Sequence, residues 1–116
     1  MLTGEYGFHT ALEDRPWWQV DLQDEFCIRE IRIFNRPDQA ARLRHFSIQG
    51  SLDGANWFPL HVKADDVVFG RERLEPYVVS FDAPQLARHV RVQLEERGFL
   101  HFDECLVFGY PNRPER

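Results

Sequence analysis

A histidine and an arginine lie near the two ends of the most informative stretch of this sequence, which runs from Phe8 to Arg36. Between them, two apolar alternations that are typical of β-strands flank a polar break at Gln23-Asp24-Glu25. If the two strands fold back on one another, residues equally far from Asp24 lie close together, and the loops that hold His9 and Arg36 share one end of the sheet. Imidazole and guanidinium groups on loops at one rim of a rigid scaffold predict a ligand-binding site.

The sequence carries no motif of a catalytic site. It lacks a Gly-x-Ser-x-Gly elbow, a Cys–His pair at a recognisable spacing, a phosphate-binding glycine loop and a His-Glu-x-x-His helix. A glycosidase needs two carboxylates that face one cleft, but Asp103 and Glu104 are neighbours on a predicted strand and should point to opposite faces. We therefore interpret the chain as a binding module and not as an enzyme.

Composition narrows the class of partner. With 116 residues, 13.8 kDa and a net charge of −5, the chain has the size of one domain and no basic surface suited to nucleic acid. Its ten Phe, three Trp and three Tyr exceed what a disordered acidic chain carries. No apolar run approaches the roughly 18 residues of a membrane helix. The absence of a signal peptide pattern favours a cytoplasmic location.

The two cysteines, Cys27 and Cys105, are too few for a disulfide framework. The simplest interpretation is a pair of buried thiols in a reducing compartment. A single bridge between them is the alternative.

Short apolar alternations separated by turn residues predict one all-β, antiparallel sandwich domain over residues 1–116. Pro59 interrupts one predicted strand and indicates an edge or a bulge, while Asp53-Gly54 predicts the hairpin turn before it. The predicted strands are Trp17–Leu22, Ile28–Ile33, Phe46–Gln49, Trp57–Val62, Tyr77–Phe81, Val90–Leu94 and Cys105–Phe108.

Between these strands the sequence predicts loops and turns. Residues 37–42 form a polar loop, and residues 63–75 form a long charged loop. Residues 82–84 turn the chain, and only Pro84–Arg88 could form a helical turn.

Six stretches of the sequence match a known pattern. They read Phe8-His9-Thr10, Trp17-Trp18-Gln19-Val20-Asp21-Leu22, Asn35-Arg36, Ser51-Leu52-Asp53-Gly54 with Trp57, His89-Val90-Arg91-Val92, and Glu104-Cys105-Leu106-Val107-Phe108-Gly109. In these residues the chain resembles the discoidin or coagulation factor 5/8 type C family, and within it the fucose-binding lectin (fucolectin) branch. The resemblance runs from about Gly4 to Gly109. It implies an eight-stranded antiparallel jelly roll whose ligand loops cluster at one end.

The resemblance also implies a sugar site. In the fucolectin branch a histidine before the tryptophan pair and two basic residues around an Arg-x-Asp motif hold the sugar. His9 falls on the histidine and Arg36-Pro37-Asp38 on the motif, while Arg42 or Arg44 matches the second basic residue, with Arg42 favoured. Phe8 or Trp17 could pack against the sugar ring. The adjacent cysteines of the lectin loop are replaced here by Gln39 and Ala40, which departs from the branch. The remaining polar residues still predict a pocket for fucose or a related neutral sugar.

Two further expectations concern calcium and assembly. Family members bind calcium near an N-terminal loop, and Glu104 with Asp103 could supply part of such an oxygen cage here. The chain is expected to lack the family's first strand. The open sheet edge would then be covered by a second copy or a neighbouring domain.

Three functions remain open at this point. The chain is a carbohydrate-binding module, a protein-interaction or oligomerisation domain with a degenerate sugar site, or an accessory domain of a glycan-acting enzyme.

Overall fold

The computed structural model describes residues 8–9, 12–70 and 75–113, without the side chains of residues 8, 9, 38 and 39. Strands dominate this part of the chain, and one 3-10 helix follows the third strand. The elements are β1 (Phe8–His9), β2 (Glu13–Asp14), β3 (Trp17–Phe34), the 3-10 helix (Pro37–Arg42), β4 (Phe46–Ser51), β5 (Phe58–Lys63), β6 (Tyr77–Leu94), β7 (Arg97–Gly98), β8 (His101–Phe102) and β9 (Glu104–Pro111).

All strand pairs are antiparallel, which confirms the predicted all-β class. The main sheet has the order β5-β4-β6-β3-β9, and two short pairs, β1-β8 and β2-β7, complete the fold. No helix in the described ranges is long and apolar enough to span a membrane.

The two central strands, β3 and β6, each have 18 residues, and both bend. A straight strand of this length would measure about 60 Å at roughly 3.3 Å per residue, whereas the longest dimension of the molecule is 47 Å. The pairing register shifts between Asp21 and Phe26, and Gln23 between them has a φ of 74°. Each long strand therefore contributes its two halves to opposite layers of a sandwich.

Aromatic contacts show that the two halves of each long strand face each other across the core. Phe46 on β4 pairs with Leu94 at one end of β6, and its ring centroid is 5.3 Å from that of Tyr77 at the other end. Trp18, near the start of β3, has its ring centroid 5.3 Å from that of Phe102 on β8.

The polar break at residues 23–25 does not form a hairpin, so this sequence prediction was wrong. The segments before and after it are parts of β3 and both pair with β6, which offers them one continuous partner. Asp103, which follows β8, donates its backbone N–H to the carbonyl of Phe34 over 2.8 Å. Because β8 also pairs with β1, the backbones of His9 and Arg36 lie at one end of the sandwich, as predicted, although the reason differs.

Two local predictions were also wrong. The turn at residues 82–84 and the helical turn at Pro84–Arg88 lie within β6, where residues 85–87 pair with β3. Conversely, the predicted loop at residues 37–42 is a 3-10 helix, whose first position is occupied by Pro37. In β6, pairing along the sheet overrides local turn propensity.

The core consists of the inward side chains of both layers. Its fully enclosed members include Ile28, Ile31, Ile33, Phe46, Ile48, Val90, Val92 and Leu100. Most of these residues alternate with more exposed neighbours, as the period of two in the sequence predicted.

The β4–β5 hairpin matches the prediction from its turn residues. Gly54 has a φ of 78°, which favours glycine, and Oδ1 of Asp53 accepts the N–H groups of Ala55 (2.9 Å) and Asn56 (2.8 Å). These hydrogen bonds hold the pKa of Asp53 well below its usual range. Pro59 lies on β5, an edge strand of the main sheet, as predicted.

Both cysteines are free thiols. They lie on different strands: Cys27 pairs with Tyr110, while Cys105 pairs with Ile33, six residues further along β3. Six residues of extended chain span roughly 20 Å, which is too far for a disulfide. Burial raises the pKa of the Cys105 thiol to about 12.

We expect the two thiols to differ in reactivity. Cys27 is half-buried and should react slowly with a thiol reagent at neutral pH, whereas the buried Cys105 should react only after unfolding because its thiolate is suppressed. Mass spectrometry of timed labelling reactions, with a Cys27→Ser variant as the control, measures both rates. Native labelling of Cys105 at the rate of Cys27 would contradict this expectation.

Candidate functional site

The loop at residues 36–44, here called the arginine loop, begins one residue after β3 ends and carries all three predicted ligand-binding arginines. Arg36 is extended (φ −82°, ψ 119°) and precedes the 3-10 helix, while Arg42 is the last residue of that helix. The backbone N–H of Leu43 donates to the carbonyl of Ala40 over 3.2 Å, and Leu43 is buried in the core. The loop is therefore a fixed structure anchored at its C-terminal end.

Asn35 anchors the other end of the arginine loop. It is 3% exposed, and its Nδ2 donates to the carbonyls of Ala40 (2.9 Å) and Phe69 (3.0 Å). Its Oδ1 accepts the backbone N–H of Arg36 over 2.9 Å. One buried amide thus connects the start of the loop, its middle and a neighbouring segment.

Arg42 lies over an aromatic ring. Its guanidinium carbon is 4.4 Å from the ring centre of Phe99, within the range of a cation–π contact. Arg42 is half-buried, so the contact positions the guanidinium while leaving part of it accessible to a ligand.

The backbone of β1 brings His9 to the same end of the molecule. His9 pairs with His101 on β8, and Phe99, which carries Arg42 on its ring, is two residues before His101. The side chains of His9, Phe8 and Asp38 lie outside the described residues, so their predicted contacts with a ligand stay predictions.

Arg44, the alternative to Arg42, lies in a charged cluster. Its Nε is 3.8 Å from Oδ1 of Asp66, and its Nη2 is 3.9 Å from Oε2 of Glu96. The same Asp66 oxygen is 2.6 Å from Nε2 of His45. Two carboxylates therefore face Arg44, whereas the described contact of Arg42 is with a ring.

A buried lysine, which the sequence analysis did not identify, hydrogen-bonds the backbone of this charged cluster. The side chain of Lys63 is 1% exposed, and its Nζ donates to the carbonyls of Arg44 (2.9 Å) and Val67 (2.6 Å) and to Oδ1 of Asp65 (2.7 Å). The lysine hydrogen bond, with that from the Val67 backbone, lowers the pKa of Asp65. The only sequence signal was position: Lys63 pairs with Phe46, a core residue, and so shares its inward side.

The residues predicted to bind calcium line a pocket at this end of the sandwich. The pocket has a volume of about 220 Å³ and is lined by Phe34, Asn35, Gly70, Glu75, Asp103 and Glu104. Asp103 was predicted to lie on one strand with Glu104, and this was wrong, because it lies in the bend before β9. Among the residues described, no group of three or more potential ligands is arranged to hold a metal ion, so calcium binding stays a prediction.

Trp17 and Trp18 point to opposite sides of β3. Trp18 is in the core, while Trp17 is 47% exposed on the outer face of the sheet, where it contacts the guanidinium of Arg91. Trp17 therefore belongs to the sheet surface and not to the arginine loop. Sequence reasoning also missed Arg91 as a potential ligand-binding residue.

Comparison with protein families assigns the chain to one class of domain. The model of the F5/8 type C domain matches residues 2–104. The chain belongs to the F5/8 type C domain family.

Solved structures of lectins and sugar-binding modules have the same fold. The chain is similar to a fucolectin from the serum of Morone saxatilis (striped bass), with a TM-score of 0.77 and 26% identity over 90% of this chain and 36% of that chain. It is also similar to a fucose-binding module from Streptococcus pneumoniae (TM-score 0.68, 29% identity, 86% of this chain and 67% of that one).

A third similar structure is CBM32-1 from a family 31 glycoside hydrolase of Clostridium perfringens, with a TM-score of 0.72 and 19% identity over 90% of this chain and 75% of that one. At this identity the likeness concerns the fold alone. No curated protein sequence matches the chain.

Proposed function

We propose that this domain is a non-catalytic carbohydrate-binding module that binds fucose or a related neutral sugar at the arginine loop. The observation that carries the proposal is the position of Arg42. Its guanidinium lies over Phe99, two residues before the strand that pairs with His9, in a loop fixed by Asn35. The guanidinium of Arg42, the ring of Phe99 and the backbone of the strand that carries His9 thus lie at one end of the sandwich.

The chemistry of these groups suits a neutral sugar. A sugar offers neighbouring hydroxyls and a ring oxygen, and the planar fork of an arginine can donate to two such oxygens at once. A histidine adds one donor or acceptor, according to its tautomer. In this proposal Arg36 and Arg42 donate to sugar oxygens, His9 completes the polar contacts and Asp38 orients the guanidinium groups.

The contacts of the two alternative arginines favour Arg42 over Arg44. Arg44 faces the carboxylates of Asp66 and Glu96, so recruiting it to a sugar would weaken two existing ion pairs. Arg42 could accept a ligand without losing a carboxylate partner among the described residues. Phe8, which shares β1 with His9, is the remaining candidate for packing against the sugar ring, because Trp17 is on the outer face.

Relatives support the sugar class. The fucolectin and the pneumococcal fucose-binding module are 26% and 29% identical to this chain over most of its length.

We also propose that any calcium bound by the domain contacts Asp103 and Glu104, which line one pocket beside Asn35.

A glycan array tests the proposal. Wild-type protein should bind fucose-containing or related neutral glycans, and the same array with calcium or with EDTA tests the metal. Loss of binding in EDTA that Asp103→Asn reproduces would support a calcium site. A complete absence of binding to neutral glycans under both conditions would overturn the proposal and favour the interaction-domain function.

A further inference from the structure

On the outer face of the main sheet, one cation contacts two indole rings. The guanidinium carbon of Arg91 is 4.3 Å from the ring centre of Trp17 and 4.0 Å from that of Trp57. Trp17 and Arg91 project away from the core, since the adjacent Trp18 and Val92 are buried. We call Trp17, Arg91 and Trp57 the outer-face cluster.

Arg91 pairs with no carboxylate in the part of the chain that the structure describes. Its Nε and Nη2 donate to Oε1 of Gln19 at 3.3 and 2.9 Å, and this amide oxygen is neutral. Two nearby arginines have a carboxylate partner: Arg15 pairs with Glu95, and Arg88 pairs with Asp21. Arg91 is therefore an uncompensated charge on a surface where its neighbours are compensated.

Partial burial increases the energetic cost of leaving the Arg91 charge without a carboxylate partner. Arg91 is half-buried, and the loss of water around it lowers its pKa. Withdrawing a charge from water is unfavourable unless an opposite charge or hydrogen bonds replace that water. An anionic ligand would supply the missing charge.

The shape of the cluster restricts which anion fits. Two indole ring centres lie within 4.3 Å of the guanidinium carbon, and Nε and Nη2 already donate to Gln19, so a ligand should meet the remaining N–H groups in the plane of the guanidinium. A carboxylate matches that planar fork with two parallel hydrogen bonds. The geometry thus favours a flat carboxylate.

The surroundings of the cluster indicate what carries the carboxylate. Nearly half of the Trp17 surface is exposed (47%), and an indole face packs well against the C–H groups of a sugar ring. Gln49 on β4 pairs with Arg91, and Gln93 follows Arg91 by two residues on β6; Nε2 of Gln49 donates to Oε1 of Gln93 over 3.0 Å. Such amides both donate and accept, as sugar hydroxyls require.

We propose that the outer-face cluster is a second binding site, which takes the carboxylate of an acidic sugar at the edge of Arg91. The sugar ring packs on Trp17, and the glutamine amides hydrogen-bond its hydroxyls. This site is on the sheet face and shares no residue with the arginine loop, so it goes beyond the proposed function and can fail independently of it.

Titration with the methyl glycoside of glucuronic acid tests this site. Two of the three tryptophans belong to the cluster, so intrinsic fluorescence reports binding, and calorimetry confirms the affinity. We expect saturable binding that weakens as salt is added. The uncharged methyl ester of the same sugar, and the variant Arg91→Gln with the acid, should each bind at least tenfold more weakly.

The matched control is Arg32→Gln. Arg32 also lies over an aromatic ring, 5.0 Å from the centre of Phe108, but it pairs with Glu30 over 2.5 Å and lies on the other layer. This variant should bind the acidic sugar like the wild type. The proposal is overturned if the ester binds as tightly as the acid, if acetate alone binds as tightly as the glycoside, or if wild type shows no saturable binding at millimolar concentrations.

Discussion

Replacing Arg42 with alanine is expected to weaken binding of a fucose-type neutral sugar by about ten- to a hundredfold. The lost hydrogen bonds to a charged group are worth roughly 1.5–3 kcal/mol, which corresponds to about one to two decades in affinity. The fold should be retained, because Arg42 is half-buried at the surface and its described contact is with the ring of Phe99. Calorimetry with the best glycan from the array measures the change.

Arg44→Ala is the matched control. Arg44 is two residues after Arg42 and carries the same charge, but its side chain faces Asp66 and Glu96. The control variant should change affinity by less than about threefold, within the range of surface ion pairs. Equal losses for the two variants would indicate a general electrostatic effect and contradict a direct contact by Arg42.

The other predicted contacts of the site can be ranked in the same assay. Arg36→Lys should recover only part of the affinity that Arg36→Ala abolishes, because an ammonium lacks the planar fork. His9→Ala should weaken binding, and the wild-type affinity should change below neutral pH if the imidazole accepts a hydrogen bond. An Arg36→Ala variant that binds like the wild type would remove Arg36 from the site.

Replacing Gly109 with alanine is expected to lower the free energy of unfolding by about 1–3 kcal/mol, the usual range for overpacking. An added Cβ would lie 2.3 Å from the carbonyl oxygen of Cys27 and 3.0 Å from the Cα of Ile28. Both are backbone atoms of β3, so no rotation of a side chain can relieve the clash, and β9 must move away. Thermal unfolding should show a decrease in Tm of roughly 5–15 °C.

Gly98→Ala is the control for this substitution. The atom closest to its new Cβ is Cδ2 of Leu94, at 3.1 Å, which belongs to a flexible side chain. A Tm for Gly109→Ala that is equal to that of Gly98→Ala would show that β9 tolerates displacement from β3.

Local sequence patterns predicted the elements better than the connections between the halves of long strands. Alternation located the core positions of β3, β4, β6 and β9, and Pro59 marked an edge strand correctly. The break at residues 23–25 looked like a hairpin turn because polarity does not distinguish a turn from a bend within one strand. Only the distant partner β6, which pairs on both sides of the break, determines the outcome.

For the candidate site, the sequence predicted which end of the fold to examine but not the contacts of each charge. Backbone pairing brings β1 to the end where Arg36 begins its loop. Arg42 and Arg91 contact aromatic rings, whereas Arg44 faces carboxylates. The ring partners are 34 or more positions away in the sequence, and the carboxylate partners are 22 or more positions away. Such pairings leave no local signal in a single sequence.

The way in which Asn35 holds the arginine loop has a consequence for how binding specificity can diversify. Its amide hydrogen-bonds the backbone carbonyls of Ala40 and Phe69 and the backbone N–H of Arg36. These are backbone groups, so the hydrogen bonds do not depend on the side chains at those three positions. Substitutions at the two residues between Pro37 and Ala40 can therefore alter what the loop recognises while its attachment to the sandwich is inherited unchanged. The fold thus separates the residues that can vary with the ligand from Asn35 and Leu43, which hold the two ends of the loop.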